Sequence, residues 1–220
     1  MNKEVRSLEF EIRAEETGSE NRAGRLTGTP IVFSQQTDLG WIREVIEPGA
    51  LDNTDLKDVR FLVGHDTTMI PLARSRNNNE NSTMQMTVGD NGMDIRVDLD
   101  TENNAEAKAL YSAVKRGDMS GMSFMFIVES DSWDDIESDY PKRTIRSIKT
   151  VMEVSAVAFP AYPQTTIQAA SEDAALESVR ASLESAKKQL EEERAATAEQ
   201  ERRTAVLEWL KNYREEEKHV

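Results

Sequence analysis

Alternating apolar and polar positions dominate residues 7–167 and predict a series of short strands. Leu8, Phe10 and Ile12 alternate with charged residues, as expected for a strand with one buried face. Glycine, asparagine, aspartate or proline separates many of the later apolar runs, which is typical of turns between strands. The further strands predicted by this pattern are residues 29–33, 42–46, 59–63, 84–88, 93–99, 122–128, 145–152 and 154–159.

A helical pattern interrupts the strands at residues 104–115. Apolar residues recur there at the three- and four-residue spacing of one helix face, and the pattern stops at Gly117. The residues that define this face are Ala105, Ala109, Leu110, Ala113 and Val114. Because regular alternation of strands and helices is missing, we expect a mostly β, α+β domain. A barrel or sandwich is favoured over a parallel α/β sheet.

The composition changes after Pro160 and Pro163, where alanine, glutamate, lysine, arginine and glutamine become dominant. Residues 171–220 contain neither glycine nor proline, so the sequence predicts one long helix. Two narrow apolar stripes run along it, formed by Leu176, Val179, Leu183, Ala186 and Leu190 and then by Val206, Leu207, Leu210 and Tyr213. Such stripes favour a coiled coil or a helix that docks on a partner, and a solvated extension is the alternative. We therefore expect a folded domain at residues 1–167 and a helical tail at residues 168–220.

The charge and composition of the chain exclude several classes of protein. The 220 residues include 41 acidic and 27 basic ones, and the resulting net charge of -14 repels nucleic-acid phosphates and anionic lipid. With no cysteine, disulfides, thiolate zinc sites and a cysteine nucleophile are excluded. No apolar run approaches the ~20 residues of a membrane span. We therefore expect a soluble protein made in a cytosol, with no nucleic-acid or membrane partner.

The two histidines of the chain limit the choice of a general base at neutral pH. His219 lies one residue from the end of a charged helix, where the chain is expected to fray. His65 follows the apolar residues 61–63 and precedes polar ones, so we expect it at the end of a buried strand, where active-site groups are often presented. A structural histidine is the alternative. One usable histidine and scattered carboxylates form no metal-ligand set, so we expect no metal and no cofactor.

Two serines, Ser120 and Ser123, stand on either side of a Gly-Met pair at the entry of the apolar strand at residues 122–128. If Met122 and Phe124 face the core, the side chain of Ser123 lies on the opposite face of the strand. Serine on a strand is often a structural filler, so the pattern by itself leaves a structural and a catalytic interpretation open.

Three blocks of sequence stand out by their order and spacing. They are residues 61–66 (FLVGHD) with 71–74 (PLAR), residues 117–126 (GDMSGMSFMF) and residues 153–163 (EVSAVAFPAYP). Together they resemble the successive signature blocks of the phage prohead protease family, and residues 28–33 and 42–51 are similar to the family's amino-terminal strands and Pro-Gly-Ala turn. The resemblance covers roughly residues 7–167, and three blocks in register are more specific than a single serine or histidine.

This resemblance implies a fold and a set of site residues. The family is related to the herpesvirus assembly proteases, which implies a β-barrel wrapped by helices and a serine nucleophile served by a histidine. The implied residues are Ser123 as nucleophile, His65 as general base and Glu153 as the acidic third member. Asp66 or Asp118 could take the third place instead.

Three points of the implied site stay open. Ser120 is the alternative nucleophile. The family usually has glycine two residues after the serine, whereas this chain has Met125, which could narrow the cleft or alter substrate preference. Backbone amides near Gly121, or one of the arginines Arg143 and Arg146, are candidates to stabilise the oxyanion, although basic residues on loops normally face solvent.

The resemblance also implies a biological setting. It describes a serine endopeptidase that acts inside the assembling prohead in the host cytoplasm, cleaves capsid and scaffold proteins, and cuts itself. The implied partners are the major capsid protein and scaffold segments, and self-association into a homo-oligomer is a further expectation. The charged tail helix with its apolar seam could bind shell or scaffold helices and would be easily clipped after assembly. The rival interpretation is a protease-like domain that has lost activity and serves as an internal scaffold protein.

Overall fold

The computed structural model describes residues 3–8, 12–15, 24–158 and 169–216. Several residues that enter the predictions above lie outside this part of the chain, namely Phe10, residues 159–163 and His219. The chain divides into two compact units, Met1–Val179 and Arg180–Val220. All of the strands and the short helix belong to the first unit.

Eleven strands and two helices are present in the described residues. The strands are β1 (Glu4–Leu8), β2 (Arg13–Glu15), β3 (Gly24–Val32), β4 (Gln36–Asp38), β5 (Arg43–Ile46), β6 (Asp58–Val63), β7 (Ala73–Arg76), β8 (Met84–Gly89), β9 (Gly92–Leu99), β10 (Gly121–Asp134) and β11 (Lys142–Val157). The helices are α1 (Ala105–Arg116) and α2 (Ala169–Glu216). The fold is therefore mixed α+β, with mostly strands followed by a long carboxy-terminal helix, as the sequence pattern predicts.

The strands form two separate sheets. In the seven-stranded sheet the order is β1-β10-β11-β5-β4, with β6 also paired to β11 and β7 paired to β6. The four-stranded sheet has the order β2-β3-β9-β8. The amino-terminal strands β1 and β2 pair with β10 and β3, and so lie in different sheets. Among the described residues the two sheets do not close into one barrel, so the expected herpesvirus-protease-like barrel is not confirmed.

One hydrophobic core contains side chains from both sheets and from α1. On β10, Met122, Phe124 and Phe126 are fully buried, and the two phenylalanine rings stack with their centroids 4.8 Å apart. Alternate residues of β9 from Met93 to Leu99 are buried in the same core. Because side chains alternate along a strand, these residues place Ser123 on the other face of β10, as the sequence pattern predicts.

β11 is one continuous strand where the sequence predicts two. Residues 145–152 and 154–159 were expected to be separate, but Lys142–Val157 hydrogen-bond as one strand. The sequence contains no glycine or proline between residues 142 and 157, so nothing forces a turn. The strand pairs antiparallel with β10 on one side and parallel with β5 and β6 on the other. The seven-stranded sheet therefore contains both parallel and antiparallel pairs. Among the described elements, no strand-helix-strand unit connects its parallel strands.

α1 confirms the predicted short helix and shows which of its faces is buried. The side chain of Asn104 caps its start by accepting hydrogen bonds from two backbone amides, and Gly117 ends it in the left-handed conformation. The buried residues are Ala107, Leu110 and Val114, whereas the predicted face also included Ala105 and Ala109, which are exposed. The larger side chains of Leu110 and Val114 determine the packed face, because two exposed alanines bury little area.

α2 confirms the predicted long helix. Along its second apolar stripe, the side chains of Val206 and Leu207 are each about half exposed and that of Leu210 is less exposed, and the neighbouring Trp209, which the prediction did not include, is more exposed. The side chain of Tyr213 lies outside the described part of the tail. No helix within the described ranges is long and apolar enough to cross a membrane.

Candidate active site

Strand pairing around β11 brings three distant parts of the sequence to one place. Ser155 on β11 lies opposite Ser123 on β10 and opposite Leu62 on β6. Glu153, two residues earlier, shares a face of β11 with Ser155 because side chains alternate. His65 follows β6 directly, two residues after its last residue, Val63. β11 therefore lies between β10, which carries Ser123, and β6, which leads into His65.

His65 reaches this face through an unusual backbone turn. Gly64 and His65 both have φ of 60°, in the left-handed region. This conformation is easy for glycine but unfavourable for histidine, and it costs about 1–3 kcal/mol at a residue that carries a side chain. Such a conformation persists only where the surrounding contacts hold it, so the contacts of His65 carry the argument about the site.

The imidazole of His65 contacts both of the other predicted site residues. Its Nε2 lies 2.5 Å from Oγ of Ser123, and its Nδ1 lies 2.5 Å from Oε1 of Glu153. The side chains of His65 and Glu153 are 7% and 3% exposed, and Ser123 has no exposed surface. A neutral imidazole with its proton on Nδ1 donates to Glu153 and leaves the lone pair of Nε2 to accept the hydroxyl proton of Ser123. The three residues implied by the family resemblance are thus in hydrogen-bond contact.

The hydroxyl of Ser123 has a second acceptor. Its Oγ lies 2.9 Å from the backbone carbonyl oxygen of Arg6 on β1, the edge strand next to β10. A hydroxyl has one proton, so it donates to His65 or to this carbonyl, but not fully to both. When the imidazole is doubly protonated, Nε2–H donates to Ser123 and the hydroxyl proton turns to Arg6.

Ser155 is a further member of the site that the sequence analysis missed. It is fully buried, its hydroxyl donates to Oε2 of Glu153 at 2.5 Å, and its Oγ accepts the backbone N–H of His65 at 3.1 Å. Its position two residues after Glu153 on a strand was the available signal, because that spacing places both side chains on one face. The pattern did not predict that His65 would lie next to that face.

The alternative residues lie in other surroundings. Ser120 is exposed and precedes β10, and its carbonyl accepts a hydrogen bond from the amide of Ile12. Asp66 accepts hydrogen bonds from the hydroxyl and amide of Thr68 within its own turn, which lowers the pKa of its carboxyl. Asp118 pairs with Arg116 on the surface. None of these contacts involves the His65 imidazole.

The two arginines considered for the oxyanion are held elsewhere. Arg143 is buried, contrary to the expectation that it faces solvent, and donates to Glu4, Glu44 and Asp131. Burial would lower the pKa of its guanidinium, but the hydrogen bond to Glu4 and the neighbouring negative charges outweigh burial and raise it. Arg146 is exposed and pairs with Glu47. The expectation was wrong for Arg143 because it lies on β11, inside the sheet, and not on a loop.

Two other residues named for the site lie on β10. Met125 is half-buried and pairs in register with Glu153. Gly121 is buried at the start of the strand and pairs with Val157. Met125, which stands where the family usually has glycine, is therefore paired with the acidic residue, two register positions from Ser123 and Ser155.

Comparison with known proteins identifies the family of the chain. The family model of the caudovirus prohead serine proteases matches residues 8–179. The prohead protease of Enterobacteria phage HK97 is 25% identical over 179 residues, which cover 80% of this chain and 73% of that protein. No solved structure matches the chain. Because the family model spans well over half of the sequence, the chain belongs to the caudovirus prohead serine protease family.

Proposed function

We propose that this chain is a prohead maturation endopeptidase in which Ser123 is the nucleophile, His65 the general base and Glu153 the residue that orients the base. The contact of the His65 imidazole with Ser123 on one side and Glu153 on the other supports this most directly. A serine hydroxyl is too weakly acidic to attack an amide at neutral pH unless a base removes its proton, and a neutral imidazole is suited to that task.

The first half of the reaction forms an acyl-enzyme. Oγ of Ser123 attacks the carbonyl carbon of the substrate peptide bond while Nε2 of His65 takes the hydroxyl proton. Glu153 accepts the Nδ1–H of the imidazolium and stabilises its positive charge. The tetrahedral intermediate collapses, the carbon–nitrogen bond breaks, and the imidazolium gives its proton to the leaving amine.

The second half of the reaction releases the acid product. A water molecule attacks the ester carbonyl as Nε2 of His65 removes one of its protons. The carbon–oxygen bond to Ser123 then breaks, and the imidazolium returns that proton to Oγ. The enzyme is restored without any cofactor, because proton transfer and covalent catalysis supply the whole reaction.

Access to the nucleophile is part of the proposal. Ser123 has no exposed surface, and its hydroxyl contacts the carbonyl of Arg6. A substrate carbonyl has to come within about 3–3.5 Å of Oγ to react. Substrate binding therefore requires a local rearrangement that uncovers Ser123, which fits an enzyme that acts only within an assembling particle.

We further propose that the substrates are the capsid and scaffold proteins of the prohead, that the enzyme also cleaves itself, and that it acts inside the shell in the host cytoplasm. Family membership supports this setting, and the long charged tail supplies exposed chain for self-cleavage. A relation to the herpesvirus assembly proteases is a proposal on the same footing, consistent with a serine in hydrogen-bond contact with a histidine.

The tail helix is proposed as the docking element, and residues 168–220 as a functional unit separate from the protease domain. Its exposed stripe of Val206, Leu207, Trp209 and Leu210 lies among charged residues. An apolar seam of this kind fits pairing with another helix, as in a coiled coil, whether from the capsid protein, a scaffold segment or a second copy.

The test is cleavage of the capsid precursor by purified protein under assembly conditions. Ser123→Ala should abolish cleavage of the precursor and of the protease itself, and Ser120→Ala should retain both. Removal of a triad member is expected to lower kcat by at least about 10³-fold. Full cleavage by Ser123→Ala would refute the nucleophile, and no cleavage by the unmodified protein would favour the inactive scaffold interpretation.

A further inference from the structure

We propose that Ser155 is a positioning residue of the catalytic site, one that holds both the carboxylate of Glu153 and the backbone of His65. This inference rests on the proposed function, because it gives Ser155 a part in the same reaction. It goes beyond the three residues that carry the proton and the acyl group. Ser155 acts through its two hydrogen-bonded neighbours, Glu153 and His65.

Ser155 lies between β10 and β6, where it can contact both Glu153 and His65. On β11 it lies opposite Ser123 of β10 and opposite Leu62 of β6, at the centre of the three strands that form the site. It is fully buried, so water does not compete for its hydroxyl. Hydrogen bonds in such surroundings are stronger and their loss is more costly than at the surface.

The first contact fixes the carboxylate. Oε1 of Glu153 faces Nδ1 of His65 at 2.5 Å, and Oε2 accepts the hydroxyl of Ser155 at 2.5 Å. With each oxygen engaged by a different donor, the carboxylate cannot rotate without losing one of the two bonds. Ser155 therefore holds Oε1 in the direction from which it orients the imidazole.

The second contact fixes the backbone of the base. The N–H of His65 donates to Oγ of Ser155 at 3.1 Å, while φ at His65 is 60°. The hydroxyl of Ser155 donates its only proton to Glu153 and uses a lone pair for this amide, so one side chain serves both groups. The left-handed turn that carries the imidazole to Ser123 is thus tied to the same atom that holds the carboxylate.

Removal of this hydroxyl has a specific expected consequence. Ser155→Ala leaves one oxygen of the buried carboxylate of Glu153 and the backbone amide of His65 without their partner, and loosens the imidazole relative to Ser123. We expect kcat to fall by about 10- to 100-fold with little change in KM, because the lost contact orients catalytic groups and does not bind substrate.

The chain offers a matched control for burial. Ser75 on β7 is also fully buried, but its hydroxyl has no hydrogen-bond partner within the described part of the chain. Ser75→Ala removes the same atoms from an equally buried strand position without disturbing the site. If Ser155 acted only as a packed serine, the two alanine variants would lower kcat to the same extent.

The experiment compares the full-length protein with its Ser155→Ala, Ser75→Ala and Ser123→Ala variants on the capsid precursor, and records the proton NMR resonance of His65 Nδ1–H in each. We expect a far-downfield resonance in the unmodified protein and in Ser75→Ala, and its displacement or loss in Ser155→Ala. This resonance reports the bond to Glu153 whether or not substrate is turned over. If Ser155→Ala does not fold, Ser155→Cys fills the site with a slightly larger atom and replaces the hydroxyl by a weak donor.

Two results would overturn the inference. One is an unchanged kcat and an unchanged Nδ1–H resonance in Ser155→Ala, and the other is an equal loss of kcat in Ser155→Ala and Ser75→Ala. The outcome for Ser123→Ala distinguishes a failure of the positioning role of Ser155 from a failure of the proposed reaction. If that variant is inactive while Ser155→Ala is not impaired, only the positioning part fails, whereas turnover by Ser123→Ala removes the proposed reaction itself.

Discussion

At the scale of single residues, the candidate site depends on a backbone conformation that most side chains avoid. Gly64 and His65 are successive left-handed residues, and the second of them carries the proposed base. The contacts of His65 with Ser155, Glu153 and Ser123 offset the conformational cost at that position. Gly64 makes the turn possible, because a residue without Cβ adopts a positive φ at little cost.

Gly64→Ala should test this cost directly. A Cβ at Gly64 would meet no atom within 4 Å, so the effect is conformational and not steric. We expect the free energy of unfolding to fall by about 1–2 kcal/mol, measured by urea denaturation. Gly89→Ala is the control, since Gly89 also has open space around its Cβ position but is not among the residues with positive φ, and its stability should change little. Equal effects of the two substitutions would contradict the argument.

The sequence led to the charged and nucleophilic residues of the candidate site but not to the serine that hydrogen-bonds two of them. Ser123, His65 and Glu153 could be named because three blocks of sequence resemble one family. Ser155 was missed because a serine in an apolar strand has no distinctive pattern, and its two partners come from β11 and from the turn after β6. A hydrogen bond between residues 90 positions apart depends on strand register, which a single sequence does not reveal.

At the scale of elements, a buried cluster of charges joins β1, β5 and β11. Arg6 on β1 pairs with Glu4 and with Glu44 of β5, and Arg143 of β11 donates to the same two carboxylates. Asp131 of β10 accepts the remaining Nε–H of Arg143 at 2.6 Å. The cluster holds the edge strand β1 against the sheet, and the carbonyl of Arg6 on that strand contacts Ser123. The position of β1 at the site is therefore linked to buried electrostatics.

Arg143→Ala should be strongly destabilising. It leaves Glu4 and Glu44 with one cation for two buried carboxylates, and breaking a buried ion pair on one side costs about 3–5 kcal/mol. Arg146→Ala, three residues along the same strand, removes an exposed arginine whose loss should change the free energy of unfolding by less than about 0.5 kcal/mol. Urea denaturation of both variants measures the difference. Similar losses for the two would show that the buried cluster contributes little.

The cluster also predicts how stability depends on pH. Burial raises the pKa of Glu44, but the charges and hydrogen bonds of Arg6 and then Arg143 outweigh burial and hold it below its ordinary value of 4.5. Because the folded state binds this proton less readily than the unfolded state, the charge of Glu44 stabilises the fold above pH 4.5. That contribution is lost as the pH falls from 4.5 through the lower pKa of the folded state.

Glu44→Gln provides the measurement. The variant should be less stable than the unmodified protein at neutral pH and should lose less stability on acidification, followed as the urea midpoint at successive pH values. Glu47→Gln, next to the same strand and partly exposed, serves as the control. If Glu44→Gln and the unmodified protein lose stability in parallel below pH 4.5, Glu44 is not the group responsible.

The elements that the sequence predicted well are those whose own residues determine them. α1 has a capping asparagine and a terminating glycine, and the alternation in β8, β9 and β10 follows their buried face. Three strands were missed, Arg13–Glu15, Gln36–Asp38 and Ala73–Arg76, because each has only three or four residues and their pairing comes from neighbouring strands. The division into two sheets was equally unreadable, since it depends on which strands pair across long separations.

At the scale of the whole molecule, the chain combines a mixed sheet domain with a long helix of different chemistry. The net charge of -14 keeps copies of such a protein apart in solution, so a specific contact has to come from a local surface. The exposed stripe of Val206, Leu207, Trp209 and Leu210 is such a surface on α2. An exposed apolar patch lowers the solubility of a protein, and a helix–helix contact would bury it.

The double substitution Leu207→Ser with Leu210→Ser should therefore separate docking from folding. Both side chains are exposed, at 53% and 39%, so the urea midpoint of the protein should change little. If the stripe docks on capsid or scaffold helices, co-sedimentation of the variant with assembled proheads should fall by about tenfold or more, because two apolar anchors are lost. Glu208→Gln lies between them and should leave co-sedimentation unchanged. Retention of the double variant in proheads would mean that the tail binds through another face or that the first unit alone directs packaging.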